Sequence, residues 1–461
     1  MNNVKKKLAM MSIKNKRRAW IVALACLPIF AMAQVTIDTT GPVRHEFTAA
    51  QAIDYANKNN VQVKNALVDV LLQKETNRQV TALALPNVTG SGNLTDNLKL
   101  QTTLLPGELA GQPAGTFVPV TFGTKFVTSG SVDLNQILFD GQVFVGLQAR
   151  KTTMDWAQKN VEVTQEMIKA NIYKVYYQLV AGRTQVELID ANITLLKKQE
   201  HDAQIMFENG FADKVAVNRA TVGIANLETA KERTLTTIAN GYYGLKVLMG
   251  MPMQDVLVLT DTLSDSKIRE GVLENTTYDY QDRKEYQYLD LSRQLNEQNV
   301  RRYKLSKIPT VSLGASYGKQ FLSNQLKYND SWFTSSYVAL RVSVPIFKGF
   351  ETNSKIAAAK LDVQKLNNQM EALKLDINSE VETARNNFRT AITVMDYQKK
   401  NMDLAQTVYD QTKRKYESGT ASSTDITAAQ KDLQEAQTNY ITALYDAIIA
   451  KIDYFKATGK L

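Results

Sequence analysis

Chemistry in a protein needs nucleophiles, metal ligands or paired acids at short spacing, and this sequence offers little of any. Its two histidines, His45 and His201, lie far apart with no ligand spacing around them, so neither a metal site nor a histidine base is expected. The sequence holds no Gly-rich phosphate loop, no zinc-protease helix and no serine nucleophile elbow. Gly90-Ser91-Gly92 falls in a segment that reads as a strand, where close backbone approach is the better account. The aromatic stretches at Tyr173–Tyr177 and Tyr242-Tyr243 sit in helical patterns and read as packing. Neither an enzyme nor a cofactor is expected, so function must come from the elements themselves.

The first elements to place are the ones that leave. Seven Lys and Arg, from Lys5 to Arg18, precede an apolar run from Ala19 to Met32 that ends in Ala31-Met32-Ala33 before Gln34. A basic lead, a short apolar run and an A-x-A site predict a signal peptide over 1–33, cleaved between Ala33 and Gln34. The run is too short for a spanning helix, which needs about 20 residues. The leader carries seven of the 55 Lys+Arg and none of the 46 Asp+Glu, so the mature chain holds 48 against 46, a net charge of +2. A sequence pI near 9.2 therefore describes the leader, and a nucleic-acid partner is not expected. Cys26, the only cysteine, lies inside the apolar run. The mature chain then has no thiol for disulfides or metal; retention of Cys26 as an acylated residue is the lipoprotein alternative.

The rest of the chain is one unit written twice. Leu85-Pro86-Asn87-Val88 returns as Ile308-Pro309-Thr310-Val311, and Leu138-Phe139-Asp140-Gly141 as Ile346-Phe347-Lys348-Gly349. Phe207-Glu208-Asn209-Gly210 returns as Tyr416-Glu417-Ser418-Gly419, and Gly250 as Gly459. The separations are 223, 208, 209 and 209 residues. The surplus lies between the proline and the Phe-x-Gly mark, so one loop of the first half is longer.

Each half reads as helix, strand pair, very long helix, break and shorter helix. In the strands, Val311, Leu313, Ala315 and Tyr317 alternate with Thr310, Ser312, Gly314 and Ser316, and Val338, Leu340 and Val342 with Ala339, Arg341 and Ser343. Segments of about ten residues with period 2 resemble transmembrane barrel strands, although half-buried strands of a soluble sheet alternate in the same way. Four strands cannot close a barrel, and lipid tolerates no open edge. Two copies would make eight strands with a side-chain-filled interior, and three would make twelve with room for a pore. The long helices, 142–207 and 350–416, lack proline and would each run about 100 Å. Apolar residues spaced alternately three and four apart, from Val161 to Leu196 and from Leu366 to Met395, predict coiled-coil seams.

The expected layout is a signal peptide (1–33), an extended segment (34–46), repeat 1 (47–252), an equatorial segment (253–282) and repeat 2 (283–461). Repeat 1 comprises a helix about 48–84, strands about 86–95 and 126–138, long helix 142–207 and returning helix 214–249. Repeat 2 comprises a helix about 283–307, strands about 309–321 and 336–346, long helix 350–416 and returning helix 424–457. Pro86, Gly141, Pro309 and Gly349 mark strand–helix junctions. The Pro- and Gly-rich stretch about 96–125 is expected as a long loop facing outside the cell.

Taken in order, these marks resemble the TolC-like outer-membrane efflux proteins. The likeness rests on Phe47-Thr48-Ala49-Ala50-Gln51-Ala52-Ile53-Asp54-Tyr55-Ala56 with Asn59-Asn60, on both Pro-led strands, on both glycine turns, and on Tyr416-Glu417-Ser418-Gly419-Thr420 followed by Asp425-Ile426. It implies a mixed fold, mostly α with transmembrane β: a homotrimer whose twelve strands form one barrel in outer-membrane lipid, continuous with an α-helical periplasmic tunnel. It further implies a passive duct for tripartite efflux or type I secretion, with a periplasmic adaptor and an inner-membrane transporter as partners. Adaptor contacts would fall on the hairpin tips, Asn209, Gly210, Phe211, Ser418, Gly419 and Thr420. Tyr416 and Asp425 would lie at the periplasmic entrance. Tyr416 matches the tyrosine of the family's entrance latch, but Ala421 and Ala216 stand where its arginine and aspartate would be, so that latch is expected to be absent. Asp425 could attract cations in three copies or could serve only as a helix N-terminal carboxylate. A periplasmic coiled-coil adaptor or scaffold without a barrel is the alternative reading.

Overall fold

The computed structural model describes residues 41–211, 213–269, 278–325 and 332–461. The expected signal peptide, with Ala33 and Gln34, lies outside them. In chain order the elements are β1 (Arg44–Phe47), α1 (Ala49–Asn59), α2 (Val61–Ala82), β2 (Asn87–Asp96), β3 (Thr102–Pro106), β4 (Phe117–Thr121), β5 (Phe126–Phe139), α3 (Gly141–Glu208), α4 (Lys214–Met249), β6 (Val256–Leu259), α5 (Asp265–Arg269), α6 (Lys284–Leu305), β7 (Thr310–Ser323), β8 (Phe333–Ser343), α7 (Glu351–Glu417) and α8 (Ser423–Ala457).

The helices set the length. With 68 and 67 residues, α3 and α7 each run about 100 Å. Each is flanked by two shorter helices: α3 by α2 and α4, α7 by α6 and α8. In addition, α6 and α8 pack on α3, which joins the halves. Apolar residues line these seams, among them Ile172, Leu179, Ile193 and Leu196 on α3 and Ile377, Val381, Phe388 and Met395 on α7. Asn192 Nδ2 donates to Gln437 Oε1 across the α3–α8 seam at 3.1 Å. Glycine permits the closest approach of α3 to α4: a Cβ on Gly241 would stand 2.6 Å from Leu179 Cδ2.

The strands form one antiparallel sheet in the order β2-β5-β7-β8. Its rows alternate in character. Thr89, Asp133, Ser316 and Tyr337 align in one row, and Val88, Leu134, Ala315 and Val338 in the next. One face is therefore polar and the other apolar, with Val88, Val338 and Leu340 exposed. The segment expected as a single loop about 96–125 instead holds the hairpin β3–β4, whose register pairs Thr102 with Thr121 and Pro106 with Phe117. This insertion accounts for the surplus spacing between the halves. The last strand ends at Ser343 rather than 346, just before Pro345, which has no N–H to donate.

Two expected single elements are divided. The helix expected at 48–84 breaks at Asn60, whose Oδ1 accepts from Gln62 N (2.7 Å) and Val63 N (3.2 Å) to start α2. Its Nδ2 donates to Leu248 O at 2.7 Å, fixing the break to α4. The extended segment expected to end at 46 becomes β1, which pairs in parallel with β6. With α1, these strands form a belt against α3. Tyr176 is fully buried there; its hydroxyl donates to Phe47 O at 2.8 Å and accepts from Asp261 N at 3.1 Å. Burial pushes the neighbouring Tyr177 phenol up to about 12, so it remains neutral.

The strand–helix junctions have separate causes. Pro86 and Pro309 each precede the first residue of a strand, where a fixed φ and a missing N–H do no harm. Gly141 opens α3 behind the Asp140 cap, and a Cβ there would lie 2.8 Å from Leu305 Cβ. Gly349 and Phe350 both take positive φ, 55° and 64°, to turn into α7. For phenylalanine that conformation is a local strain.

Candidate functional site

Both long helices reverse at the end remote from the sheet, and the two reversals use the same device. After α3, Gly210 takes φ 77°; its N–H donates to Phe207 O and that of Phe211 to Met206 O, at 3.0 and 2.8 Å. After α7, Gly419 takes φ 76°, and the N–H groups of Gly419 and Thr420 donate to Tyr416 O and Lys415 O, again at 3.0 and 2.8 Å. Left-handed caps of this kind satisfy the last carbonyls of a helix, and glycine enters them at least cost. Asn209 caps the first end through Nδ2 to Ile205 O at 2.7 Å. At the second, the hydroxyls of Ser418 and Thr420 both donate to Lys415 O at 3.0 Å. Phe211 is left 86 % exposed, a bare aromatic ring at the tip.

Asp425 is fully engaged within its own helix start. Its Oδ2 accepts from Ser422 N (2.9 Å) and Ser422 Oγ (2.8 Å), while its N–H donates back to Ser422 Oγ (3.2 Å). This is a reciprocal capping box. The Ser422 backbone and hydroxyl bonds hold the carboxyl below its ordinary range. It stays ionised, and it is positioned by α8 rather than by another element.

Tyr416 faces the first hairpin. Its hydroxyl donates to Met206 Sδ at 3.9 Å, over a 280 Å³ cavity lined by Leu195, Asp202, Tyr409 and Ile426 among others. Burial, and then the charge of Asp202, raise its pKa. Alanine at 216 and 421 offers no side-chain hydrogen bond. One turn further on, however, Arg219 Nη1 donates to Thr424 Oγ1 at 2.5 Å. The hairpins are thus tied by a guanidinium on the first and a hydroxyl on the second. Neither residue occupies a position of the usual latch, so the sequence alone does not single the pair out.

The histidines stay separate. His45 Nε2 lies 3.2 Å from Asp255 Oδ2 within the belt and packs against Phe47 and Tyr55. His201 lies exposed on α3. Among the described residues no group of three His, Cys, Asp or Glu could hold a metal ion, and no helix is long and apolar enough to cross a membrane.

A four-stranded sheet set on paired helical hairpins of this length is the fold of solved outer-membrane channels. The VceC channel of Vibrio cholerae superposes with a TM-score of 0.71 at 15% identity, covering 89% of this chain and 96% of that one. The CusC structure gives 0.72 at 15% identity, over 92% and 95%. Residues 283–460 match the family model described as outer membrane efflux protein. In that C-terminal part the chain is similar to the outer membrane efflux proteins. Among curated relatives, the outer membrane efflux protein BepC of Brucella suis is 20% identical over 451 residues, spanning 96% of this chain and 92% of that one. TolC of Vibrio cholerae is 20% identical over 339 residues, 72% of this chain and 77% of its own length.

Proposed function

We propose that three copies of this chain form an outer-membrane exit duct, a twelve-stranded barrel continuous with a periplasmic helical tunnel. Substrates would pass through it passively, delivered by an inner-membrane transporter and a periplasmic adaptor in an efflux or type I secretion assembly. The observation that carries this reading is the sheet, open at both β2 and β8. Because its four strands alternate in direction, β8 of one copy runs antiparallel to β2 of the next, and any number of copies closes without a parallel pair. Closure removes the edges that lipid would not tolerate. The helices support the same ring. On one flank α7 meets α6 and α8, while its opposite side exposes Leu361, Leu375 and Leu404; α2 exposes Leu67, Leu71 and Leu72. A neighbour's α7 against α2 and α4 would cover both. Two copies would close eight strands around a filled interior, so three is the smaller number that leaves a pore.

Within this reading the tips are the entrance. Arg219, Thr424 and Tyr416 hold the hairpins together, Asn209, Gly210, Phe211, Ser418, Gly419 and Thr420 present the adaptor-facing surface, and Asp425 places a carboxylate beside the mouth. Single-channel conductance of the purified chain in a planar bilayer tests the proposal. Stable, cation-selective steps from a trimer are expected. A folded protein that gives no steps and does not fractionate with outer membranes would return the argument to a coiled-coil scaffold.

A further inference from the structure

We propose that the groove between α3, α4 and α8 binds a neutral, drug-sized amphiphile carrying an amide-type donor–acceptor pair, seated on Gln430. The groove encloses 710 Å³, within the range of pockets that hold such molecules, about 300–1,000 Å³. Its apolar walls come from Leu196, Val222, Leu227 and Ala230. Gln430 is only 4 % exposed, and among the described residues neither its Oε1 nor its Nε2 has a hydrogen-bond partner, although both atoms are buried. A buried amide left unpaired on both sides is costly and uncommon. What would satisfy it is a group that accepts from Nε2 and donates to Oε1 at once, as a secondary amide, lactam or carbamate does. Arg219, Lys431 and Glu435 line the rim, whereas the Gln430 amide carries no charge and calls for a neutral partner.

If the belt rings the outside of the duct, the groove opens on its inside. Tyr176 and Arg183 of α3 face the belt, bonding Phe47 O and Leu259 O. At about 100° per residue, Leu196 lies roughly 200° around the helix from Tyr176, on the opposite face. That location rests on the channel reading, whereas the binding chemistry does not. The tunnel wall would then be a sorting surface just above the entrance rather than an inert lining.

The test uses the full chain in lipid nanodiscs, since detergent would compete for an apolar groove. Fluorine NMR titration follows N-(4-fluorophenyl)hexanamide and, separately, 4-fluorophenyl hexyl ether, which lacks both the N–H and the C=O. Saturable binding of the amide is expected, weakened about tenfold by Gln430→Leu, with ether binding undiminished. Val222→Trp, at a 60 % exposed wall position, should block both probes without burying new surface in the core, and it serves if Gln430→Leu does not assemble. Equal amide affinity in wild type and Gln430→Leu, or no saturable binding to the wild type, would overturn the proposal. Conductance of the same preparation separates the two readings. Binding without conductance would remove the duct and leave the site, and conductance without binding would remove the site and leave the duct.

Discussion

The bridge between the hairpins can be weighed directly. Replacing Arg219 by alanine removes the guanidinium that donates to Thr424 Oγ1, at a surface where truncation should not disturb folding. A charge-assisted bond at an exposed position contributes about 0.5 kcal/mol, at the low end of the usual range because water competes for both groups. If three copies open together, the closed state loses about 1.5 kcal/mol, or roughly tenfold in the opening equilibrium. Open probability in a planar bilayer reads this ratio. Thr424→Val, nearly isosteric, should produce the same increase, and the double variant should add little, because each change already removes the whole interaction. Since the acceptor is neutral, the increase should persist at 1 M salt, where the Debye length is about 3 Å and an ion-pair latch would already be screened. Open probabilities within twofold of wild type, or single effects that multiply in the double variant, would refute the idea that this pair holds the entrance.

Gly250→Ala should cost about 2–4 kcal/mol, since the residue has φ 67° and a Cβ would stand 2.4 Å from Asn59 O; the midpoint of denaturant unfolding measures it. Asp425 has a depressed carboxyl pKa, so its stabilisation is complete above the ordinary value of 3.8 and is lost as pH falls through the lower, folded value. Pepsin cleavage near 418–426 should accelerate across that acid range in wild type, and Asp425→Asn should flatten the dependence. Arg283 is buried and donates to Glu380 Oε2 at 2.9 Å and to Ala457 O at 3.0 Å, joining α6, α7 and the end of α8. Arg283→Met should cost about 2–3 kcal/mol, less than a fully buried pair because Glu380 is partly exposed, and calorimetry should show the lower melting temperature.

The periodic parts of the fold were legible because their period follows directly from geometry. A three–four apolar spacing admits few conformations other than a packed helix, and glycine at 210 and 419 marks places where the backbone must turn left-handed. The break at Asn60 was not legible. Asn60 is a good N-cap residue, but the apolar pattern runs through it, and the bond that fixes the break, to Leu248 O, is brought near only by folding. The β3–β4 hairpin escaped for a different reason: Pro and Gly are frequent there, and the short flanking alternations of Thr102–Pro106 and Phe117–Thr121 are too brief to stand out. At the hairpin tips, the Arg219–Thr424 tie spans 205 residues, and no local pattern announces a contact of that separation. Gln430 reads in sequence as one more polar residue of a helix; only burial reveals that its amide lacks a partner.

The belt at Tyr176 clasps α3 well short of its tip, with Glu208 32 residues further on, or about 48 Å of helix. The stretch below acts as a lever whose fulcrum is that clasp. A tilt of only about 5° at the belt carries the tip through about 4 Å over this 48 Å arm, more than the whole length of the Arg219–Thr424 bond. Small repacking around Phe47 and Asp261, far from the tips, therefore has enough mechanical advantage to part the hairpins.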